Sequence, residues 1–374
     1  MNSTLAQHTS TRKFNQILEG SGITVNGSNT FDIRIKEGYE KILYERIIQN
    51  GSSGLGDSYV DGWWECDAID EFFCRILSAG LDKKYRFTIG NVVDYIQSLF
   101  NQQNRHAAKA NAQHHYNIGN DLYEVMLGQT GFYTCAYWKD AATLDDAQVN
   151  KVALINKKIH LVPGMSILDI GCGWGGYMKY THLAYPEVKL HGITNSSEQV
   201  AEASKYGNVS HQDYRDMNGK YDRIVSIGMF EHVGPKNYRV FMETAHARLA
   251  KGGYFLLHTI TGNASQNTGD PWLNKRIFPG SVIPSIAQIA KAAEGLFVIE
   301  DVHNFGPYYD HTLMAWYDNF VKGWPVLSGK YGEKFYRMWR YYLLCCAGSF
   351  RARKNQLSQI VLSKEPQAIY IPAR

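Results

Sequence analysis

The run from 166 to 176 joins a short apolar segment to a glycine-dense turn, and it constrains the fold more than any other stretch. Residues 166–170 are typical of a buried strand, and a helix is predicted to follow the last glycine. Between them a G-x-G-x-x-G pattern is formed by Gly171, Gly173 and Gly176. Glycines at such a turn let a ligand approach the backbone closely. The run therefore predicts a nucleotide-like cofactor at this turn.

Strand and helix signals alternate on both sides of the turn. Helical patterns at 145–160 and 238–250 separate apolar runs that indicate strands, at 188–194, 221–229, 254–260, 297–302 and 368–371. This alternation is typical of an α/β fold with a doubly wound, mostly parallel sheet. These runs and residues 166–170 account for six of the seven strands that we expect.

The rest of the chain predicts a second, smaller and mainly helical domain. We place it at residues 1–105, including a polar helical linker near 101–115, and the α/β domain at 106–374. Residues 54–64 indicate a glycine-punctuated loop, and residues 261–284 an insertion that could act as a lid. The aromatic-rich region 308–362 is predicted to be helical. Aromatic residues of the small domain fit either a small core or a surface that meets acyl chains.

Composition excludes several functional classes. A net charge of +4 is too small an excess to indicate nucleic-acid binding. The six cysteines include no C-x-x-C pair, which is typical of a reduced, cytoplasmic protein. We expect no signal peptide in the polar N-terminus and no membrane span, which would need about 18 apolar residues. His114-His115 has no carboxylate or thiol at ligand spacing, so we expect a solvated pair and no metal site.

The residues after the second predicted strand bear on the choice of cofactor. A dinucleotide site prefers an acidic residue about 20 positions past the glycines, where this chain has Thr194-Asn195-Ser196-Ser197. This argues against NAD without excluding it, and favours S-adenosylmethionine, which has no pyrophosphate. A carboxylate just before the turn could then steer the ligand's ammonium group. The predicted cofactor-binding residues are Tyr133, Thr134, Asp169, Gly171, Gly173, Gly176, Thr194, Gln199, Gln212 and Asp213.

Several further motifs are distributed along the chain on both sides of the glycine turn. They are Gly54-Leu55-Gly56-Asp57-Ser58-Tyr59, Tyr116-Asn117-Ile118-Gly119-Asn120, Cys135-Ala136-Tyr137-Trp138, Gly228-Met229-Phe230-Glu231-His232-Val233-Gly234, Leu256-Leu257-His258-Thr259-Ile260 and Cys346-Ala347-Gly348. Together with the glycine turn, this set closely resembles the cyclopropane-fatty-acyl-phospholipid synthases, relatives of the mycolic acid cyclopropane synthases. The resemblance covers the chain from about residue 20 onward.

The resemblance implies a class I S-adenosylmethionine-dependent methyltransferase fold and a reaction. A methyl group passes to the cis double bond of a phospholipid acyl chain, leaving a carbocation, and a proton leaves the new methyl group as a cyclopropane ring closes. The resemblance also implies a bound bicarbonate ion as the base. Its ligands carry over to Cys135, Glu231, His258, Tyr309 and the backbone at Ile260. Cys346 is a second candidate for the site, although a nucleophilic thiol has no evident task in this chemistry.

Each of these residues also has an ordinary structural interpretation. His258 lies in an apolar run and could be a core histidine, while Glu231 could cap the following helix. Cys135 could be a small buried apolar side chain, and Cys346 could pack within a helix. The site interpretation is favoured because these residues occur together with the cofactor turn.

Two other functions remain open from the sequence. One is methylation of an unsaturated acyl chain without ring closure, and the other is a lipid-binding module with a vestigial cofactor turn. For the leading hypothesis, the resemblance implies that the N-terminal domain docks on a phospholipid bilayer and pairs two subunits as a homodimer. It implies a cytoplasmic enzyme that is peripheral at the inner face of the membrane.

Overall fold

The computed structural model describes residues 15–84, 103, 119–366 and 369–374. Its strands are β1 Arg34–Ile35, β2 Trp64–Glu65, β3 Ser166–Ile170, β4 Lys189–Thr194, β5 Asn208–His211, β6 Tyr221–Ile227, β7 Leu249–Gly262, β8 Val298–Asn304 and β9 Asn355–Ser363. Its helices are α1 Glu40–Val60, α2 Ile69–Ser78, α3 Leu81–Lys84, α4 Asn120–Leu127, α5 Leu144–Lys158, α6 Gly176–Ala184, α7 Ser197–Ala203, α8 Tyr238–Arg248, α9 Pro271–Arg276, α10 Ile286–Ala293 and α11 Pro307–Arg351.

Some predicted features lie outside the described residues. These are the polar N-terminus, the histidine pair 114–115, the motif residues 116–118 and, apart from residue 103, the linker 101–115. None of the described helices has the length and apolar character needed to cross a membrane.

The chain forms two compact units, and each is assembled from separate segments. The first contains 1–100, 270–279 and 313–355, and the second contains 101–269, 280–312 and 356–374. This differs from the continuous division at residue 105, because the middle of the predicted insertion and most of α11 pack within the first unit. In that unit Tyr341 of α11 packs on Tyr59, with ring centroids 5.5 Å apart, and on Trp272 of α9, at 4.5 Å.

The second unit contains a seven-stranded sheet in the order β5-β4-β3-β6-β7-β9-β8. Strands β3 to β7 pair in parallel, and β8 pairs antiparallel with β9. The doubly wound, mostly parallel α/β fold predicted from the sequence is confirmed. Because the parallel strands all end at one edge, the residues that follow them collect there, which is where such sheets bind ligands.

Side chains alternate between the two faces of this sheet. Leu168, Phe255, Leu257 and Ile360 lie in a core cluster with α8 and α10, whereas Ile167, Tyr254, Leu256 and Val361 lie in a cluster with α5 and α6. Both faces are therefore covered by helices. The same alternation assigns Asp169, His258 and Gln359 to the face that α5 covers.

Two predictions at the C-terminal end were wrong. The region 308–362 is not helical throughout, since α11 ends at Arg351 and β9 occupies Asn355–Ser363. The last strand is β9 and not 368–371: Ala368 lies outside the described residues, and Ile369 and Ile371 are 79% and 74% exposed. Polar residues interrupt β9, so its longest apolar run is only Ile360-Val361-Leu362, yet the strand is buried because β7 and β8 flank it.

The predicted loop at 54–64 was also wrong, since residues 52–60 continue α1 beyond a non-helical Gly51. Glycine here serves close packing. A Cβ atom on Gly56 would lie 2.5 Å from Nε1 of Trp272, and the Trp272 indole itself is buried. The neighbouring Asp57 carboxylate also binds helix α9: it accepts hydrogen bonds from Trp272 Nε1 at 3.2 Å and from Lys275 Nζ at 2.9 Å.

We predict that Gly56→Ala destabilises the protein despite the higher helix propensity of alanine. Overpacking of this kind typically costs about 1–3 kcal/mol, whereas Gly→Ala in a helix otherwise stabilises by up to about 1 kcal/mol. Gly329→Ala, in α11, is the matched control because a Cβ atom there meets nothing within 4 Å. Urea unfolding should therefore show a lower free energy of unfolding for Gly56→Ala than for the wild-type protein. It should show no decrease for Gly329→Ala. Equal effects of the two substitutions would contradict the packing argument.

Candidate functional site

The glycine turn forms a cradle at the carboxyl end of β3. The backbone amides of Gly171 and Cys172 both donate to the carbonyl of Ile193, at 3.0 Å. Gly171 and Gly173 have φ of +81° and +55°, a region in which a side chain is strained. A Cβ atom on Gly171 would also lie 2.7 Å from Cγ of Met229. The turn therefore requires glycine, and only at Gly173 is there space, since an added Cβ atom there would lie 4.0 Å from Nε2 of Gln199.

The third glycine joins the turn to the loop that precedes α5. A Cβ atom on Gly176 would lie 2.9 Å from Cε1 of Phe132, so that the aromatic ring packs directly on the start of α6. The next residue, Tyr133, packs edge-to-face on Tyr123 with ring centroids 5.2 Å apart. The predicted cofactor residues Tyr133 and Thr134 are thus held beside the glycine turn.

A fully buried lysine organises this loop. Lys151 Nζ donates to Thr134 Oγ1 at 2.7 Å and to Gln148 Oε1 at 2.6 Å, and it lies 3.7 Å from the centroid of the Phe132 ring. Gln148 Nε2 in turn donates to the carbonyl of Thr134 at 2.9 Å. Both the side chain and the backbone of Thr134 are therefore fixed by α5.

Lys151 also faces the carboxylate that ends β3. Burial lowers the pKa of Lys151 to about 7, opposed by the nearby charge of Asp169. Burial raises the pKa of Asp169 to about 7, opposed in the same way by Lys151. Each charge stabilises the other in a medium where neither is well solvated. Asp169 Oδ1 has no hydrogen-bond partner among the described residues, so it remains available to a cationic ligand.

The ends of β4 and β5 bring the other predicted cofactor residues to the same edge. The Thr194 hydroxyl donates to Oε1 of buried Gln199, and the Thr194 carbonyl accepts from the Gln212 amide at 3.0 Å. Asp213 caps a short 3-10 helix and accepts from Arg215 Nη1 at 2.9 Å. Asp213 thus carries an ion pair that the sequence analysis did not predict.

Glu231 enters the site from the turn after β6. Its Oε1 accepts from the backbone amide of Ile260 at 2.7 Å. Burial raises the pKa of Glu231, although the Ile260 hydrogen bond opposes the shift. Within the described part of the chain, Oε2 finds no hydrogen-bond partner. Glu231 and the Ile260 backbone, each predicted as a ligand of the anion, therefore bond to each other, and one carboxylate oxygen of Glu231 is left over.

His258 lies on β7 opposite Ile227, the last residue of β6. It is fully buried, and its pKa is held well below the usual value by burial and by the charges of Lys151 and Lys158. Its Nδ1 lies 3.3 Å from Nε2 of Gln359 on β9, whereas its Nε2 has no partner in the described structure. His258 is thus a neutral imidazole with one unpaired nitrogen.

Cys135 and Tyr309 lie near the start of α11. The Ala136 amide donates to Thr312 Oγ1 at 3.1 Å, which ties the cysteine loop to that helix. Burial raises the pKa of the Cys135 thiol, so the thiol is neutral. Tyr309 is buried, four residues after Phe305, whose ring centroid lies 6.0 Å from that of His258. Cys346 also lies on α11, but in the first unit, whereas Cys135 and Tyr309 belong to the second. Burial raises the pKa of its neighbour Cys345.

The polar residues that hold the site in place were not predicted from the sequence. Gln148 and Lys151 share a helical face with Val152 and Ile155, so a polar pair within an apolar stripe was the available signal. Gln359 gave no such signal, because its strand was assigned to a helix. These residues orient others, and their spacing alone carries no chemical motif.

Several buried polar atoms of the second unit lack a hydrogen-bond partner among the described residues. Four of them belong to the residues described above: Asp169 Oδ1, Glu231 Oε2, His258 Nε2 and Gln359 Oε1. A buried polar atom without a partner typically costs about 1–3 kcal/mol, and native structures contain few of them. Their grouping around the carboxyl edge of the sheet indicates a site for polar ligands.

The sequence is similar to that of known lipid-modifying enzymes. Residues 102–360 match the family model described as mycolic acid cyclopropane synthetase. The cyclopropane-fatty-acyl-phospholipid synthase of Escherichia coli (strain K12) is 47% identical over 356 residues, which covers 94% of this chain and 92% of that protein. Cyclopropane mycolic acid synthase 1 of Mycobacterium tuberculosis is 33% identical over 68% of this chain and 97% of its own length.

Solved structures lead to the same family. A mycolic acid cyclopropane synthase complexed with SAH and CTAB has a TM-score of 0.64 and 32% identity, covering 68% of this chain and 98% of its own. Coclaurine N-methyltransferase, at 22% identity and a TM-score of 0.69 over 83% of this chain and 99% of its own, shares the fold. This chain therefore belongs to the mycolic acid cyclopropane synthetase family, as the resemblance in its motifs predicted.

Proposed function

We propose that this protein adds a methylene bridge across the cis double bond of an unsaturated phospholipid acyl chain, with bicarbonate bound beside Glu231 and His258. Membership of the family makes it an S-adenosylmethionine-dependent methyltransferase that cyclopropanates lipid acyl chains. The finer assignment depends on one observation, the buried and unpartnered atoms Glu231 Oε2 and His258 Nε2.

The residues at the glycine turn fit S-adenosylmethionine. When bound, this cofactor supplies an electrophilic methyl group. Asp169 Oδ1 would accept from its ammonium group, and the Gly171–Gly173 backbone would lie against its amino-acid portion. Gln199 and Gln212 would meet the ribose and adenine. The roles of Tyr133 and Thr134 follow from their fixed position next to the turn.

The pair of Glu231 and His258 fits an anion that carries its own hydroxyl. A bare anion beside the Glu231 carboxylate would be repelled, so one proton must lie between the two groups. Bicarbonate can supply that proton from its hydroxyl, and a Glu231 with a raised pKa can supply it as well. His258 Nε2 can donate to the anion from the other side. Cys135 and Tyr309 complete the proposed ligand set, and the Ile260 backbone supports it by holding Glu231.

The acyl double bond is a weak, neutral nucleophile that needs no base for the first step. After it takes the methyl group, the positive charge on the acyl chain is relieved when a proton leaves that methyl group and the ring closes. Bicarbonate, when bound, supplies a base for this proton. The neutral Cys135 thiol suits such a site, because a thiolate would trap the cation. Aromatic rings of Tyr137, Phe305 and Tyr308 pack together, and the Phe305 ring lies 6.0 Å from that of His258, so they would help to shield the site from water.

The first unit is proposed to dock on a phospholipid bilayer. Its helix α11 exposes apolar Val321 and Val326, at 39% and 85%, beside exposed Lys322 and Lys330. Apolar side chains flanked by lysines suit an anionic membrane surface. Peripheral attachment at the inner face of the membrane follows from this proposal, and homodimer formation is inferred from the resemblance alone.

The experiment that tests the proposal identifies the product. Purified protein is incubated with methyl-labelled S-adenosylmethionine and vesicles of cis-unsaturated phospholipid, and the fatty acids are analysed by mass spectrometry. We expect labelled chains one methylene heavier that resist mild hydrogenation, because a cyclopropane is not an alkene. Labelled chains that still hydrogenate would support methylation without ring closure. Tight binding of S-adenosylmethionine without turnover would support a lipid-binding module.

The same assay on Glu231→Gln examines the anion. The amide presents a donor where Oε2 stood, so the anion's hydroxyl loses its acceptor and ring formation should fall about 10²–10⁴-fold. Glu243→Gln, an exposed glutamate with a side chain 51% accessible, is the control and should keep full activity. Unchanged ring formation by Glu231→Gln would exclude the proposed anion site.

A second prediction concerns the buried lysine. Lys151→Met keeps the bulk but removes the charge beside Asp169 and the hydrogen bond that fixes Thr134. Hydrogen bonds to charged groups are worth about 1.5–3 kcal/mol, so S-adenosylhomocysteine should bind roughly 10- to 100-fold more weakly by calorimetry. Lys157→Met, on the exposed face of the same helix, should bind normally. Equal affinities of the two variants would contradict this role.

A further inference from the structure

Gln359 is a fully buried amide whose only described hydrogen-bond contact is with the imidazole of His258. Both residues are 0% exposed, and they lie on the neighbouring strands β9 and β7. The amide nitrogen Nε2 of Gln359 lies 3.3 Å from His258 Nδ1. The pleat assigns both side chains to the sheet face covered by α5. Gln359 takes no part in the proposed transfer of the methyl group or of the proton.

The orientation of the Gln359 side-chain amide sets the direction of the hydrogen bond. Because Nε2, which is a donor only, is the amide atom that faces the imidazole, His258 Nδ1 accepts and carries no proton. Burial and the charges of Lys151 and Lys158 keep the imidazole neutral, so it has a single ring proton. That proton lies on Nε2, which has no partner within the described residues and is fully buried.

We propose that Gln359 is a positioning residue that holds His258 in the Nε2–H tautomer, so that this nitrogen donates to the bound anion. The opposite tautomer would present a lone pair to the anion and repel it. Gln359 itself does not touch the anion. The inference deepens the proposed function, because it rests on an anion at His258.

The test reads the tautomer directly. Full-length protein labelled with ¹⁵N-histidine is studied by NMR at pH 7.5, with His258 assigned by comparison with His258→Asn. We expect a pyridine-type signal from Nδ1 and a pyrrole-type signal from Nε2. A pyrrole-type Nδ1 in the wild-type protein would overturn the inference, whatever bicarbonate does.

Substitutions at Gln359 examine the cause. Gln359→Glu places an acceptor opposite Nδ1 and should reverse the two signals, while Gln359→Met, which offers no donor, should give a mixture of tautomers. Ser358→Ala is the matched control, because this neighbouring buried residue bonds Thr261 and not His258. It should leave the signals unchanged. A wild-type tautomer in both Gln359 variants would also overturn the inference.

Titration with bicarbonate separates this inference from the proposed function. We expect the His258 Nε2 signal of the wild-type protein to move as bicarbonate binds, and the KM for bicarbonate to rise about 10- to 100-fold in Gln359→Glu. An Nε2–H tautomer that depends on Gln359 but does not respond to bicarbonate would contradict the anion proposal. It would leave the assignment of the tautomer supported.

Discussion

The site depends on the parallel pairing of β3, β6 and β7. Because these strands point the same way, the glycine turn after β3, the Glu231 turn after β6 and the end of β7 all lie at one edge of the sheet. The amide of Gly228 donates to the carbonyl of His258 at 2.8 Å, which locks the Glu231 turn to β7. The cofactor cradle and the histidine–glutamate pair are thus fixed by backbone pairing.

Burial shifts the pKa values of the ionisable groups that are held at this edge. Lys151, Asp169, Glu231 and His258 are all enclosed, and each has a pKa displaced toward the neutral form. Holding ionisable groups in such a place costs stability unless they are paired. Lys151 and Asp169 offset each other, while Glu231 and His258 keep one unpaired atom each. Those unpaired atoms are the part of the site that a ligand would complete.

Sequence reasoning predicted the sheet and the cofactor turn because both carry strong local signals. Glycine at the turn after β3 can be identified from residue types and spacing, whereas Glu231 and His258 were predicted from the resemblance to a known family. The residues that support the site cannot be identified from residue types and spacing. Gln359 contacts His258 from a strand whose apolar run is short, and Lys151 meets Asp169 only after α5 packs on the sheet. The helical Gly56 was misread as a loop because the glycine serves contact with Trp272, which is more than 200 residues away in sequence.

In the proposed mechanism, the proton released on ring closure passes to an anion held by this protein. The most direct test measures the rate of cyclopropane formation in CO₂-free buffer as bicarbonate is added back at constant pH. We predict little activity without bicarbonate and a saturable recovery in the wild-type enzyme. A full rate without bicarbonate would contradict the account and would require a protein side chain to act as the base.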